Sequence, residues 1–134
     1  MSKVDQKYIQ DFKIAYCKAI FFTAMEIELK PTAKMSPKAI EIASEDCEDF
    51  LKNEEVVDIL SRVSVGGYLA SNAGHDFWLT RNSHGAGFWD RGLGEDGDKL
   101  SNIAETYKAC EDYIGDDGLL SLMSLRPKKK LAMR

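Results

Sequence analysis

Residues 74–91 read GHDFWLTRNSHGAGFWDR, and no other stretch limits the fold as tightly. The run holds both histidines and both tryptophans of the chain, two phenylalanines, three glycines and two aspartate–arginine combinations. DFWLTR (76–81) is rich in the aromatic and branched residues that favour a pleated strand. NSHG (82–85) is turn chemistry, since Asn and Gly tolerate positive φ. AGFWDR (86–91) then returns. The spacing predicts a β-hairpin in which Arg81 faces Ala86, Leu79 faces Phe88, Trp78 faces Trp89 and Asp76 faces Arg91. Residues directly opposite share a face. One face then carries Phe77, Leu79 and Phe88 and turns to the core. Arg81 shares that face, close enough to the turn to reach solvent. The other face carries Asp76, Trp78, Thr80, Trp89 and Arg91.

That second face has two readings. Two tryptophans side by side, flanked by an acid and a base, would stack a ligand, with Arg81 or Arg91 meeting a phosphate. Alternatively helices cover both faces and the tryptophans are core, as buried aromatics are in most small domains. Aromatic and arginine side chains also dominate binding hot spots. The candidate binding residues are therefore Asp76, Trp78, Arg81, His84, Trp89 and Arg91.

The strings GHDFWLTRN and HGAGFWDRG resemble a motif of a family of small, largely uncharacterised bacteriophage proteins, in a likeness that covers about residues 74–94. The likeness extends weakly into the following helix, and the first half of the chain has no part in it. Ser83 stands where the motif suggests glycine. The resemblance implies a phage-encoded accessory protein and carries no activity with it.

The chain has 134 residues, room for one domain with a sizeable core. Its 44% apolar and 30% charged residues suit a folded globular chain. Net charge is −4, but the last nine residues contribute five cations, so residues 1–125 carry −9. An acidic body with a basic tail does not resemble a nucleic-acid-binding domain, which usually shows a broad basic face. The expected organisation is one globular domain over residues 1–125 and a basic tail over 126–134. Cys17, Cys47 and Cys110 are odd in number and far apart. They read as buried thiols in a reducing cytosol rather than a disulfide framework. No secretory leader is evident, and the densest apolar run, 19–25, is far shorter than the ~20 residues of a spanning helix. A cytoplasmic protein with no membrane partner is expected, in the host cell if phage-encoded.

Residues 4–28 read as one helix, with Ile9, Phe12, Tyr16, Ala19, Ile20, Thr23 and Ile27 at helical spacing. Its second half is apolar nearly all round, which marks a central core helix or a surface for a second copy of the chain. Ser36-Pro37 opens a helix with Ser as N-cap. Ile40, Ala43, Cys47, Phe50 and Leu51 make its apolar stripe. Glu41, Glu45, Asp46, Glu48 and Asp49 lie outside that stripe, as a solvated acidic face would. Asn53 starts a third helix through Val56, Val57, Leu60 and Val63, which Gly66-Gly67 bends or ends. Asn72-Ala-Gly74 reads as another helix stop. Asp98 caps a helix over 99–114, DDG (116–118) is a turn, and 119–125 is a short strand or helical turn. The predicted fold class is α+β, with three or four helices packed around an antiparallel hairpin or small antiparallel sheet.

No enzyme constellation emerges. Gly92-x-Gly94-x-x-Gly97 matches the dinucleotide fingerprint as letters, but no βαβ unit surrounds it and Glu95 and Asp96 would repel a pyrophosphate. The acids near it lack EF-hand spacing. His84 at a loop tip has no buried partner to orient it as a base for Ser83. In the hairpin Asp76 and Asp90 point to opposite faces, so they cannot share acid–base work. The histidines would stand at opposite ends of one arm, too far apart to share a zinc. No cofactor or metal is expected. The leading expectation is a non-enzymatic phage accessory protein that binds a host protein, with the countering of a host defence system as one role that would fit. Alternatives are a nucleotide or other small-ligand binder, or a nucleic-acid binder using the tail.

Overall fold

A computed structural model describes residues 4–24 and 34–126. The chain is α+β. Among the described residues five helices run in order: α1 (Gln6–Thr23), α2 (Pro37–Phe50), α3 (Glu54–Ser64), α4 (Ala70–Arg81) and α5 (Glu95–Glu105). A single 3-10 turn, Phe88–Asp90, lies between α4 and α5. Two strands follow, β1 (Cys110–Ile114) and β2 (Leu120–Ser124), paired antiparallel with Cys110 opposite Ser124 and Ile114 opposite Leu120. The segment before α2 extends this edge, as Ser36 N–H donates to the Leu120 carbonyl at 2.8 Å and Leu120 N–H to that of Lys34 at 2.9 Å.

Several helix starts follow local chemistry. Ser36 Oγ accepts from Ala39 N–H at 3.0 Å ahead of Pro37, and Asn53 Oδ1 accepts from Glu55 and Val56 at 2.9 and 3.1 Å. Gly66 and Gly67 close α3 as expected. Asp116 to Gly118 form the β1–β2 turn. The α1 stripe is buried at Phe12, Tyr16, Ala19 and Ile20, whereas Phe22 is largely exposed. Ile27 lies outside the described residues.

The hairpin predicted over 76–91 does not form. DFWLTR is the second half of α4. The central helix is α4, not α1: Ala70, Ala73, Gly74, Asp76, Phe77, Trp78, Leu79, Thr80 and Arg81 are all buried. Its second half, 76–81, is buried at every position and so has no solvated face to give it a period, and its β-formers imitate a strand. Gly74 is likewise not a stop. A Cβ there would stand 2.1 Å from the Phe12 carbonyl oxygen and 3.1 Å from Ala15 Cβ, so hydrogen at this position lets α4 lie against the α1 backbone. Phe77 then stacks on Phe50 with centroids 4.1 Å apart and meets Phe12, Tyr16 and Tyr107 in one aromatic core.

The last helix also differs. It begins at Glu95 behind Gly94 and ends at Glu105, and residues 110–114 become β1. Lys108 adopts φ 64°, a left-handed turn that breaks the helical path between the two. Tyr107, Cys110 and Ile114 fit a helical stripe by spacing. Cys110 and Ile114 fit a strand face equally well, and pairing with β2 selects the strand.

Candidate functional site

The chain after α4 is held to it at successive points. Asn82 caps the helix: its Nδ2 donates to the Trp78 carbonyl at 2.9 Å, and its Oδ1 accepts from Cys110 N–H at 2.7 Å. Ser83 takes φ 56°, the left-handed conformation that glycine adopts without cost. The NSHG turn therefore exists, but it ends a helix instead of joining two strands. Gly87 then passes so close to Thr80 that a Cβ would sit 2.1 Å from its Oγ1. The same oxygen accepts from Phe88 N–H at 3.1 Å. Phe88 drops into the core and stacks on Phe50 at 5.8 Å.

Arg91 closes the segment onto α4. Its Nε lies 3.1 and 3.0 Å from the two Asp76 oxygens, and its Nη2 donates to Oδ1 at 2.7 Å. Tyr68 hydroxyl donates to Asp76 Oδ2 at 2.5 Å. The expected pairing of Asp76 with Arg91 survives, made from a helix and a loop rather than two strands. Asp76 is 1% exposed, so without these donors its carboxylate would be costly to bury. Burial, and next the Asp76 charge, push the Tyr68 hydroxyl well above the usual tyrosine range.

Arg81 is not a surface residue. Its side chain is fully buried, and it pairs with Asp46 at 2.6 Å. Its Nε donates to the Lys108 carbonyl and its Nη2 to the Tyr107 carbonyl, both at 2.8 Å, and Nη1 also reaches the Tyr16 hydroxyl at 3.1 Å. Asp46 correspondingly leaves the solvated acidic face assigned to it and is 3% exposed. Arg126, placed in the tail by composition, belongs to this cluster. It reaches Asp46 at 2.7 Å and Asp49 at 3.0 Å and lies over the Tyr107 ring at 5.0 Å. Residues 127–134 lie outside the described part of the chain.

The two tryptophans are separated in role. Trp78 is fully buried, with Tyr16 edge-on at 5.4 Å and Nε1 donating to Thr23 Oγ1 at 2.7 Å. Trp89 is 51% exposed. A buried indole cannot stack a ligand beside an exposed one, so no paired platform forms. His84 is exposed on the turn. The six candidates thus fall into buried Trp78 and Arg81, exposed His84 and Trp89, and the Asp76–Arg91 pair that joins core to surface.

Tyr68, Lys18 and Arg62, none of which stands out in the amino-acid sequence, gather with His75, Asp76 and Arg91 around a cleft of about 1000 Å³. Cys47 and Cys110 are buried as expected, and Cys17 is half-buried. Burial pushes the Cys110 thiol up to about 11, away from nucleophilic chemistry near neutrality. Among the described residues no group of three or more His, Cys, Asp or Glu side chains is arranged to hold a metal ion, and no helix is long and apolar enough to cross a membrane. No family model, curated protein or solved structure matches the chain.

Proposed function

We propose that this is a non-enzymatic binding protein that docks on another protein through the surface centred on Trp89. The observation that carries the reading is a half-exposed indole on a rigidly mounted loop. Phe88 on one side is locked into the core and by Thr80, and Arg91 on the other is clamped by buried Asp76. Trp89 between them is left facing out, although Phe88 beside it is fully buried. A fixed aromatic side chain binds with little loss of its own freedom, which is why tryptophan and arginine anchor interfaces. The resemblance to phage proteins makes the partner we propose a host protein in the cytoplasm, with interference in a host defence as a fitting role.

The test is affinity capture from host extract with the tagged parent chain and its Trp89→Ala variant, followed by titration of the purified captured protein. The variant should melt within a few degrees of the parent, because an exposed side chain contributes less than about 1 kcal/mol to stability. It should lose partner binding by at least about tenfold, the scale of a hot-spot residue. Equal binding by parent and variant would remove Trp89 from the interface.

A further inference from the structure

The cleft beside Arg91 is walled by α1, by the end of α3 with its glycine turn, by the opening of α4 and by residues 91–93. Its charge runs against that of the whole chain. Net charge is −4 overall, yet the cleft is lined by three permanent cations, Lys18, Arg62 and Arg91, against the single carboxylate of Asp76. That carboxylate is spent: it is 1% exposed and already accepts from Arg91 and Tyr68.

The cations differ in what they have left to offer. Arg62 is engaged by Asp58 at 3.2 Å and by both oxygens of Asp96 at 2.8 and 3.1 Å, so its charge is largely offset. Arg91 gives Nε and Nη2 to Asp76, and Nη1 makes no hydrogen bond among the described residues. Asp76 therefore sets the plane of the guanidinium and leaves one end of it free. Lys18 makes no ion pair among the described residues, and its Nζ comes from a different wall. The first turn of α4 adds Ser71 and Asn72 to the lining. The Leu69 amide donates to Asn72 Oδ1, and the Asn72 and Ala73 amides to the Leu69 carbonyl, which leaves those of Ala70 and Ser71 at the positive end of the helix dipole.

We propose that the cleft binds the phosphate of a phosphorylated small molecule, with Arg91 and Lys18 as cationic contacts and the hydroxyl and amide of Ser71, at the start of α4, as hydrogen-bond donors. Two cations from separate elements and a helix start suit a dianion with three acceptor oxygens better than a carboxylate with two. The volume exceeds that of a phosphate group and is typical of sites for whole metabolites. Val63 and Leu93 supply apolar contact for the remainder of such a molecule.

The test titrates inorganic phosphate, adenosine monophosphate and adenosine into the full chain at constant ionic strength, read by calorimetry and by backbone amide shifts. Phosphate and the monophosphate should bind saturably, and adenosine should not. Amides of residues 70–75 and 91–93 should move most. Lys18→Gln changes an exposed side chain, so the fold is kept, and it should weaken the monophosphate about tenfold. Lys38→Gln, on α2 outside the cleft, should leave affinity unchanged. The inference is overturned if no phosphate probe saturates at millimolar concentration, if chloride produces the same shifts, or if Lys18→Gln binds as the parent does. Binding to phosphatidylserine-containing vesicles without response to soluble phosphates would overturn it too, assigning the charge to a membrane surface.

Discussion

Two arginines from one short stretch, Arg81 and Arg91, each pair with an aspartate on a helix, and the fold treats them in opposite ways. The Arg81 side chain is 0% exposed against 4% for that of Asp46, and its three nitrogens are consumed by α1, α2 and the α5–β1 connection. The Arg91 side chain is 35% exposed against 2% for that of Asp76, and one nitrogen is spare. The first cluster binds four parts of the chain together and has nothing left over. The second fixes a loop and still presents a cation. An ion pair is thus a lock or a platform according to how many of its donors the fold uses.

The largest effect should come from Arg81→Ala. It leaves Asp46 buried with only Arg126 and strips two backbone carbonyls of their donors, at a cost of ~3–5 kcal/mol by urea unfolding. A loss below 1 kcal/mol would mean the lock is not one. Gly74→Ala should follow, at roughly 1–3 kcal/mol, because the new methyl group must push α4 off the Phe12 carbonyl and disturb both clusters together. Alkali probes both clusters through their tyrosines. Burial raises the Tyr16 and Tyr68 hydroxyls well above the free value of 10.0. Their folded values exceed their unfolded ones, so the associated stability is full below pH 10 and is lost as pH rises beyond it, by about 1.4 kcal/mol per pH unit for each. Spectroscopic titration should show both ionising only as the chain unfolds; free titration in the native state would count against their burial.

Arg91→Gln should cost about 1–2 kcal/mol, less than Arg81→Ala, because water reaches its side of the pair. Equal losses for the two arginines would erase the distinction drawn between them. The smallest effect is expected at His84→Ala, below about 0.5 kcal/mol, since the side chain is on the exposed turn. Thermal melts of the two variants side by side provide the comparison.

Much of the helical frame was legible because its signals are local. Ser36-Pro37 and Asn53 announce their helices by satisfying the first amides from the next residues along. The spacing of Phe12, Tyr16 and Ala19 marks a face that any partner would bury. The segment 70–81 also carried a helical signature: Ala70, Ala73, Gly74, Phe77, Trp78 and Arg81 recur at three and four. Strand-forming residue types and a turn behind them obscured it, and they are uninformative where, as at 76–81, every position of a helix is buried. The Asp76–Arg91 pairing was found through the wrong geometry, since a helix and a returning loop bring those positions together as a hairpin would.

The amino-acid sequence by itself determined the α+β class, the starts of α2 and α3, the turns at 66–67, 82–85 and 116–118, and the apolar residues available for a core. These follow from backbone preference and side-chain chemistry within a few residues. Only the tertiary structure decided that α4 is central, that Trp78 is buried and Trp89 exposed, that Asp46 leaves the acidic face for Arg81, and that Lys18, Arg62 and Arg91 meet around one cleft. Each of those depends on which distant backbone comes close enough to exclude water. The Phe12 carbonyl against Gly74 is the plainest case, a contact that neither segment encodes alone.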